Sequence, residues 1–284
     1  MIRIFKKSVN ILKNNSLFLQ PLLLFFLTIL SILIFLNGRT IFMPARISLL
    51  TAFIFMFIAY CAGWFHIIKQ GIISYNKDDS PQEIAEKSIS NFKKFFEGVG
   101  ANFLKLFGSF IILFLIYSVV IFAVTKLCLV LYGKPEIIYD IQKYNEATSN
   151  AEKLNILNSI PVYTQLTFMK WVATLYPVSV VLNFFMVLSS AAIYFENTNF
   201  IKAIFKAIIF FFKNILICIV SMLLLQAIYI FINFISMLIG VNAISMFIVT
   251  VLITIYFTYY LILVFCIYYE KTKNNSDNRT ELIG

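Results

Sequence analysis

Six long runs of uncharged, mostly apolar residues dominate the hydrophobic pattern of the chain. Each has about the 20 residues that a helix, rising 1.5 Å per residue, needs to cross the hydrocarbon core of a bilayer. The pattern therefore predicts six transmembrane helices, and the first run is too long for the apolar region of a cleaved signal peptide. The runs are Leu17–Leu36, Ile47–Phe65, Gly108–Thr125, Trp171–Phe195, Ile215–Gly240 and Val241–Tyr269.

A short amphipathic segment precedes each odd-numbered run. In the first segment, Lys6 and Lys13 belong to a basic stripe, and Phe5 belongs to the opposite apolar stripe. The second segment begins with Ser80-Pro-Gln-Glu83, the spacing of a capping box with proline at the first helical position. The third, at 199–213, again has lysines along one side. Helices of this kind lie in the plane of the membrane surface, so we predict three interfacial helices.

The even-numbered runs leave the membrane through similar residues, which indicates an internal repeat. An aliphatic residue, an aromatic one and then an acidic or amide one recur at 73–77, 193–197 and 267–271, as anchoring at a membrane–water boundary requires. A basic turn before any membrane helix has a similar pattern, and this remains the alternative. The predicted fold class is an all-α polytopic membrane protein with three hairpin repeats.

The predicted domain organisation follows from this repeat. We predict a single six-helix domain over residues 1–270, with hairpin units at 1–77, 78–197 and 198–270. Residues 133–161 form a polar excursion on the outer side of the membrane, too short for an independent domain. Residues 271–284 are predicted to be a flexible cytoplasmic tail.

Composition and charge agree with a membrane protein and argue against a soluble nucleic-acid-binding domain. The chain is 61% hydrophobic and 13% charged, against about 45–50% and about 25% in soluble domains. The stretch 196–214 interleaves lysines with aromatic rings, as single-strand-binding surfaces do, but the same mixture suits a bilayer surface. Of the 23 Lys and Arg residues, 16 fall on the side that holds both termini, so the positive-inside bias predicts cytoplasmic termini.

Motifs for catalysis are absent from the sequence. It has no phosphate-binding loop, nucleophile elbow or zinc-protease motif, its one histidine is His66, and its four cysteines are scattered through apolar runs. We therefore predict no enzymatic activity, no cofactor and no metal site. The interior polar residues His66, Asn183, Gln226 and Asn233 can line a polar path or hydrogen-bond between helices, which is the commoner use of buried amides.

Six lysines of the amphipathic segments are the candidate contacts to lipid. A basic side chain near an anionic membrane surface contributes about 1 kcal/mol to binding. We predict that the bilayer, and its anionic headgroups in particular, is a partner, with a membrane protein as a second candidate partner and no nucleic acid. The six are Lys6, Lys13, Lys94, Lys202, Lys206 and Lys213.

The stretch from Ala191 to Lys206, AAIYFENTNFIKAIFK, resembles a recurring pattern of bacterial six-helix membrane proteins. There a helix leaves the membrane through an acidic residue, here Glu196, and an alanine and a basic residue follow on an amphipathic helix, here Ala203 and Lys206. The pattern is similar to the membrane domain of glycerophosphoryl diester phosphodiesterase and to related uncharacterised integral membrane proteins. This chain lacks the Arg-Ser that often follows the alanine, and it has no room for the soluble phosphodiesterase domain. The resemblance implies a module of the bacterial cytoplasmic membrane without that enzyme's activity.

Two functional hypotheses follow. The first is a non-enzymatic integral membrane module, a scaffold or accessory subunit of a lipid- or transport-related complex. It is motivated by the six cores, which contain no acidic residue, since ionisable groups within a membrane usually mark a transport path. The second is a transporter or permease subunit whose polar path runs through the helix bundle near the interior amides.

Overall fold

The computed structural model of the chain is built from helices. It describes residues 1–36, 43–134, 143, 149–239 and 243–281, and within those ranges every regular element is helical. The helices are α1 (Ile2–Asn14), α2 (Gln20–Leu36), α3 (Met43–Ser74), α4 (Pro81–Lys93), α5 (Phe95–Tyr132), α6 (Asn150–Ser159), α7 (Val162–Glu196), α8 (Phe200–Lys213), α9 (Ile215–Ile239) and α10 (Ala243–Glu281), with a 3₁₀ turn at Ser16–Leu19 between α1 and α2.

Five of the described helices are long and apolar enough to cross a membrane: α3 from Thr51, α5, α7, α9, and α10 between Phe247 and Lys273. A sixth span exists only if α1 and the segment Ser16–Ile29, which meet at an angle of 85°, are counted as one broken span. The first predicted run corresponds to the 3₁₀ turn and α2, and α2 by itself has 17 residues. The chain is thus an all-α, multi-pass membrane protein, as predicted, with five or six spans.

Contacts within the chain divide it into two compact units. Unit 1 comprises Met1–Phe110 and Phe185–Gly284, and unit 2 comprises Ile111–Phe184. The boundaries fall inside α5 and α7, whereas the sequence predicts one domain with hairpin boundaries near residues 77 and 197. These two helices have 38 and 35 residues, more than the roughly 20 that a bilayer needs. Each of them therefore contributes residues to both units.

Two predicted segments fall partly outside the described residues. Of the predicted excursion at 133–161, the structure describes α6, while residues 135–142 and 144–148 lie outside the described ranges. In the predicted tail, the structure describes residues 271–281 as a continuation of α10 to Glu281, and the flexibility of this tail stays a prediction. Residues 271–281 contain neither glycine nor proline, the two residues that disfavour a helix interior most strongly.

Helix α10 is the centre of unit 1. Its residues Leu261–Tyr268 are all buried, and α1, α3 and α9 pack against it. A helix surrounded in this way has to be apolar on every side, which the sequence LILVFCIY satisfies. Beside it, Phe65 of α3 meets Tyr194 of α7 and Phe265 of α10 edge to face, with ring centroids 6.0 and 5.6 Å away. Three spanning helices are thus joined through one ring.

Unit 2 is held partly by polar contacts between α5 and α7. The Tyr117 hydroxyl donates a hydrogen bond to the Ser179 hydroxyl at 3.1 Å, and Trp171 Nε1 donates to the Gly133 carbonyl, also at 3.1 Å. Many large apolar side chains of α5 in this unit are exposed, including Phe114, Val119 and Val130. An apolar surface of this kind is expected of a helix that faces lipid chains.

Candidate functional site

The three predicted amphipathic segments are separate short helices, α1, α4 and α8. Helix α4 begins with the predicted capping box, in which the Glu83 backbone N–H donates to the Ser80 hydroxyl and the Ser80 backbone N–H donates to the Glu83 carboxylate at 2.7 Å. The bond from the Ser80 backbone N–H, followed by that from its hydroxyl, lowers the pKa of the exposed Glu83 carboxyl from its ordinary value of 4.5. Helix α8 is capped by Asn199, which accepts a hydrogen bond from the Lys202 N–H at 2.9 Å.

Asparagine ends both α1 and α8. The side-chain amide of Asn15 donates to the Ile11 carbonyl, and that of Asn214 donates to the Phe210 carbonyl, at 3.0 Å in each case. Each amide thereby adds a side-chain hydrogen bond to the last turn of its helix, and the Phe210 carbonyl also accepts the Asn214 backbone N–H at 3.0 Å. The equivalent residues are Asn15 and Asn214, although the sequence pairs Lys13-Asn14 and Lys213-Asn214 would align Asn14 with Asn214. The C-terminal ends of α1 and α8 are therefore alike, and the alignment of their sequences shifts by one residue.

Each short helix has three faces, which follow one another in the same rotational order. A buried face comes first, an exposed apolar face lies about 100° further on, one residue later in sequence, and an exposed charged face comes third. In all three helices the first step is a small buried residue followed by an exposed aliphatic one. The residues that define the faces are Ser8, Val9 and Lys6 in α1, Ser88, Ile89 and Lys93 in α4, and Ala207, Ile208 and Lys213 in α8.

A phenylalanine at one end of each short helix lies over a glycine of a spanning helix. A Cβ atom at any of these glycines would come within 3.0 Å of the ring, so the close approach depends on the missing side chain. The rings therefore fix the positions where the chain enters or leaves the short helices. The pairs, with the distance from such a Cβ to the nearest ring atom, are Phe18 with Gly71 (2.2 Å), Phe95 with Gly63 (2.7 Å) and Phe200 with Gly108 (2.9 Å).

The ends of α3, α7 and α10 carry aromatic and acidic side chains that contact α1 and α8; we call this group the exit cluster. Within it, Lys7 of α1 forms an ion pair with Glu270. The Lys7 ammonium also lies 5.7 and 5.6 Å from the ring centroids of Tyr75 and Tyr269. The exit cluster comprises Tyr75, Phe195, Glu196, Tyr268, Tyr269 and Glu270 together with Lys7 and Lys206.

Glu196 is the second ion-pairing acid of the exit cluster. One carboxylate oxygen pairs with Lys206 of α8, and the other accepts a hydrogen bond from the Tyr268 hydroxyl. Tyr268 in turn stacks on Phe210 of α8, with ring centroids 4.6 Å apart. The acidic residues of two predicted exit signatures therefore attach short helices to unit 1. That role is additional to the membrane anchoring for which they were singled out.

The structure separates the six lysines predicted to contact headgroups. Lys94 is half-buried, and Lys206 is half-buried in its ion pair with Glu196. The other four have exposed side chains, and exposed ammonium groups beside an exposed apolar face fit an anionic bilayer surface. Headgroup contact remains a prediction for all six, with Glu196 as a competing partner at Lys206. The four exposed residues are Lys6, Lys13, Lys202 and Lys213.

The interior polar residues predicted for a path or for interhelical bonding do not share one environment. Asn233 is exposed, and its amide donates to the Tyr229 carbonyl one turn earlier in α9, at 2.8 Å. Asn183 is exposed in unit 2, and Gln226 is half-buried in unit 1. His66 is buried in α3, with 6% of its surface exposed. Of the four, His66 is the one enclosed by protein.

The cysteines and the potential metal ligands are scattered through the part of the chain that the structure describes. All four cysteines are free and buried, as expected of small apolar side chains. Among the described residues, no three His, Cys, Asp or Glu side chains are grouped so that they could hold a metal ion.

Sequence reasoning missed several residues that organise the site. The pairing of Lys7 with Glu270 has no local signal, because 263 residues separate them. Gly71 had a signal, since an isolated glycine inside a helical segment often has a packing reason. Asn197 has a positive φ of 49°, and its side-chain oxygen accepts a hydrogen bond from Lys105 at 2.6 Å. Asparagine tolerates that backbone conformation, so the ENTN stretch already indicated a turn.

Comparisons with known proteins assign no family to this chain. No family model, no curated protein and no solved structure matches it. The class that the structure defines is an all-α, multi-pass membrane protein. The resemblance to the membrane domain of glycerophosphoryl diester phosphodiesterase remains an expectation that rests on the segment Ala191–Lys206.

Proposed function

We propose that the protein is a non-enzymatic integral membrane module, a scaffold or accessory subunit of a complex concerned with lipids or transport. The observation that carries this proposal is the three-faced organisation of α1, α4 and α8. One face of each packs against protein, and the other two present apolar and charged side chains next to each other, as a helix at the lipid–water boundary requires. Three such helices suit a protein that holds a fixed depth in the bilayer and offers a surface to a partner.

The same helices support a threefold repeat with units at 1–77, 78–197 and 198–270. In two of the short helices, a lysine pairs with an acid that precedes the helix in the chain. Lys206 of α8 pairs with Glu196 at the end of α7, and Lys87 of α4 pairs with Asp79 just before that helix. Lys7 pairs with Glu270, near the end of the chain. If the three repeats are ordered cyclically, the third repeat comes before the first. Glu270 then precedes α1, as Glu196 precedes α8 and Asp79 precedes α4.

Orientation is part of the proposal: both termini lie on the cytoplasmic side of a bacterial inner membrane. The distribution of Lys and Arg supports this, with 16 of 23 on the side of the termini. Introduced cysteines test it, because the four native cysteines are buried and should react slowly. An impermeant maleimide added to intact cells should label the exposed position in Lys134→Cys and leave Lys6→Cys unlabelled. Labelling of Lys6→Cys alone would reverse the topology.

The main test of the proposal is the retention of anionic lipid by α8. Lys202→Glu with Lys213→Glu reverses two exposed charges and leaves the Lys206–Glu196 ion pair intact. Each basic group near an anionic surface is worth about 1 kcal/mol, so the phosphatidylglycerol retained from mixed phosphatidylglycerol–phosphatidylcholine bilayers should fall severalfold, as measured by lipid mass spectrometry. Lys134→Glu with Lys143→Glu is the matched control, because it makes the same charge change at exposed residues outside the short helices. Equal lipid retention by the two double variants would contradict the proposal.

The alternative, a transporter or permease subunit, has less support. It requires polar side chains that are available to a permeating solute near Asn183, Gln226 and Asn233. The Asn233 amide is already used within its own helix, a common local solution for such side chains.

A further inference from the structure

Helix α8 differs from the other two short helices in how much apolar surface it exposes. The structure describes every residue of the three helices, so they can be compared directly. The large apolar side chains exposed in α1 are Ile2 and Val9, and in α4 the one such side chain is Ile89. Helix α8 exposes five, and we call them the apolar arc: Ile201, Phe205, Ile208, Ile209 and Phe212.

The apolar arc occupies its own side of α8. Successive side chains of an α-helix are turned by about 100°, so the arc covers about 100° around the helix axis and the three lysines cover only about 40°. The buried face, which runs from Ala203 to Phe211, occupies the third side. Protein therefore lies on one side of α8, the apolar arc on a second and the lysines on a third. This is the arrangement of a helix that has acyl chains below it and headgroups above it.

The position of α8 in the chain indicates that lipid covers the apolar arc. Three residues separate α8 from the end of α7, and Asn214 alone separates it from the start of α9. Both neighbours are long and apolar enough to cross a membrane. The first two residues of α9, Ile215 and Leu216, are also apolar and exposed. Acyl chains that cover the start of α9 therefore reach the level of α8, while the adjacent lysines match the charge of headgroups.

We propose that α8 is a wedge in one leaflet and directs the protein to bilayers whose lipids are loosely packed, such as the convex side of a curved membrane. Five bulky side chains need gaps between headgroups, and the burial of their surface stabilises the contact in proportion to its area. The binding of amphipathic helices accordingly depends on curvature and on lipid composition. The proposal rests on the proposed function for the location of α8 at the membrane boundary, and it adds the kind of lipid surface that the protein prefers.

Narrow membrane tubes pulled from giant vesicles of pure phosphatidylcholine test the proposal. The full-length protein with Lys6→Cys is labelled after reconstitution with an impermeant dye, so only copies whose α1 faces outward are visible. Their density should be severalfold higher in the tube than in the vesicle, because the wedge then lies in the convex leaflet. Labelled Lys134→Cys, just beyond the other end of α5, marks copies of the opposite orientation, which should be depleted from the tube.

Substitutions decide whether the apolar arc is responsible for the enrichment. Phe205→Ala with Phe212→Ala should abolish it. Phe114→Ala with Phe122→Ala, in the spanning helix α5, is the matched control and should retain it, because these side chains are 67% and 64% exposed, against 63% and 65% for Phe205 and Phe212.

The exposed lysines separate this proposal from the proposed function. Lys202→Glu with Lys213→Glu should retain the enrichment, since phosphatidylcholine has no net charge, even where the same variant loses phosphatidylglycerol. The wedge is overturned if outward-facing copies are not enriched in the tube, if both orientations are enriched equally, if the two phenylalanine double variants sort alike, or if the lysine variant no longer sorts. The first two outcomes need no substitution beyond the labelling site.

Discussion

Helices α1 and α8 share the same three-faced design but are attached to unit 1 by different means. The buried face of α8 is wholly apolar and comprises Ala203, Ile204, Ala207, Phe210 and Phe211, whereas the buried residues of α1 are Ser8 and Ile11. Burial of apolar surface stabilises contacts roughly in proportion to area. Helix α8 therefore has a broad hydrophobic attachment, and α1 depends more on the residues at its end and on its ion pair.

The partners of the two helices also differ in sequence distance. Lys206 of α8 pairs with Glu196, 10 residues earlier, whereas Lys7 of α1 pairs with Glu270, 263 residues later. The attachment of α8 is local, and that of α1 requires the far end of α10. If this contrast is correct, equivalent substitutions should harm α1 more than α8.

The largest difference is expected at the two phenylalanines. Phe18, beside α1, is fully buried, and Phe200, at the start of α8, is half-exposed. Replacing a buried phenylalanine with alanine costs about 3–5 kcal/mol, so Phe18→Ala should lower the free energy of unfolding by about that amount and Phe200→Ala by clearly less. Unfolding of both variants in mixed dodecyl sulfate micelles measures this. Equal losses would remove the contrast between the helices.

The alanine substitutions of the glycines beneath these rings should differ in the size of their effect on stability. A methyl group at Gly71 would meet the fully buried Phe18 ring at 2.2 Å, and overpacking costs about 1–3 kcal/mol. At Gly108 the half-exposed Phe200 ring can shift, so the gain of about 0.5–1 kcal/mol for alanine in a helix should nearly offset the contact. Gly71→Ala should destabilise the fold, and Gly108→Ala should have little effect on thermal unfolding. Gly100→Ala, with no atom within 4 Å of the new methyl group, is the control and should stabilise.

The ion pairs should show a smaller contrast. The side chains of Lys7 and Glu270 are 20% and 24% exposed, against 40% and 29% for Lys206 and Glu196. Exposed pairs contribute about 0.2–1 kcal/mol, and the two rings near Lys7 add about 0.5–1 kcal/mol each. Double-mutant cycles with Lys7→Gln and Glu270→Gln, and with Lys206→Gln and Glu196→Gln, should give the larger coupling energy for the first pair. A larger coupling for the second pair would show that the local attachment is the stronger.

The smallest effect concerns how the short helices begin. Glu83 in the cap of α4 has its pKa lowered by the bond from the Ser80 backbone N–H, whereas Asn199 at α8 does not titrate. The contribution of Glu83 is therefore fully present above its ordinary pKa of 4.5 and is lost as the pH falls through the lower folded value. On acidification, Cα chemical shifts should show fraying of the first turn of α4 and no change in α8. Glu83→Gln should abolish the pH dependence, and fraying that persists in this variant would point to another group.

Much of the architecture could be predicted from the sequence because it is encoded locally. Spanning helices follow from apolar length, and the short helices follow from the spacing of lysines and apolar residues. The Ser80–Glu83 cap follows from side chains three residues apart. Each of these depends on hydrogen bonds or contacts within one helix, so a short window contains all the necessary information.

The attachment of the helices could not be predicted, because it depends on partners that no short window contains. Nothing in residues 1–14 indicates that Lys7 meets Glu270 rather than water or lipid. The unit boundaries within α5 and α7 are equally invisible, since an apolar run has the same composition whether protein or lipid covers it.

The distance between Lys7 and Glu270 also has a consequence for biosynthesis. Translation proceeds at about 5–20 residues per second, so Glu270 emerges roughly 15–50 s after Lys7. Glu196, in contrast, is made before α8 and is available as soon as Lys206 appears. During the interval α1 lacks its ion-pair partner on α10. Because α1 is amphipathic, it can bind the bilayer surface during this time instead of aggregating. The basic stripe of α1 would then serve the nascent chain as well as the finished protein, since α1 is translated early and docks late.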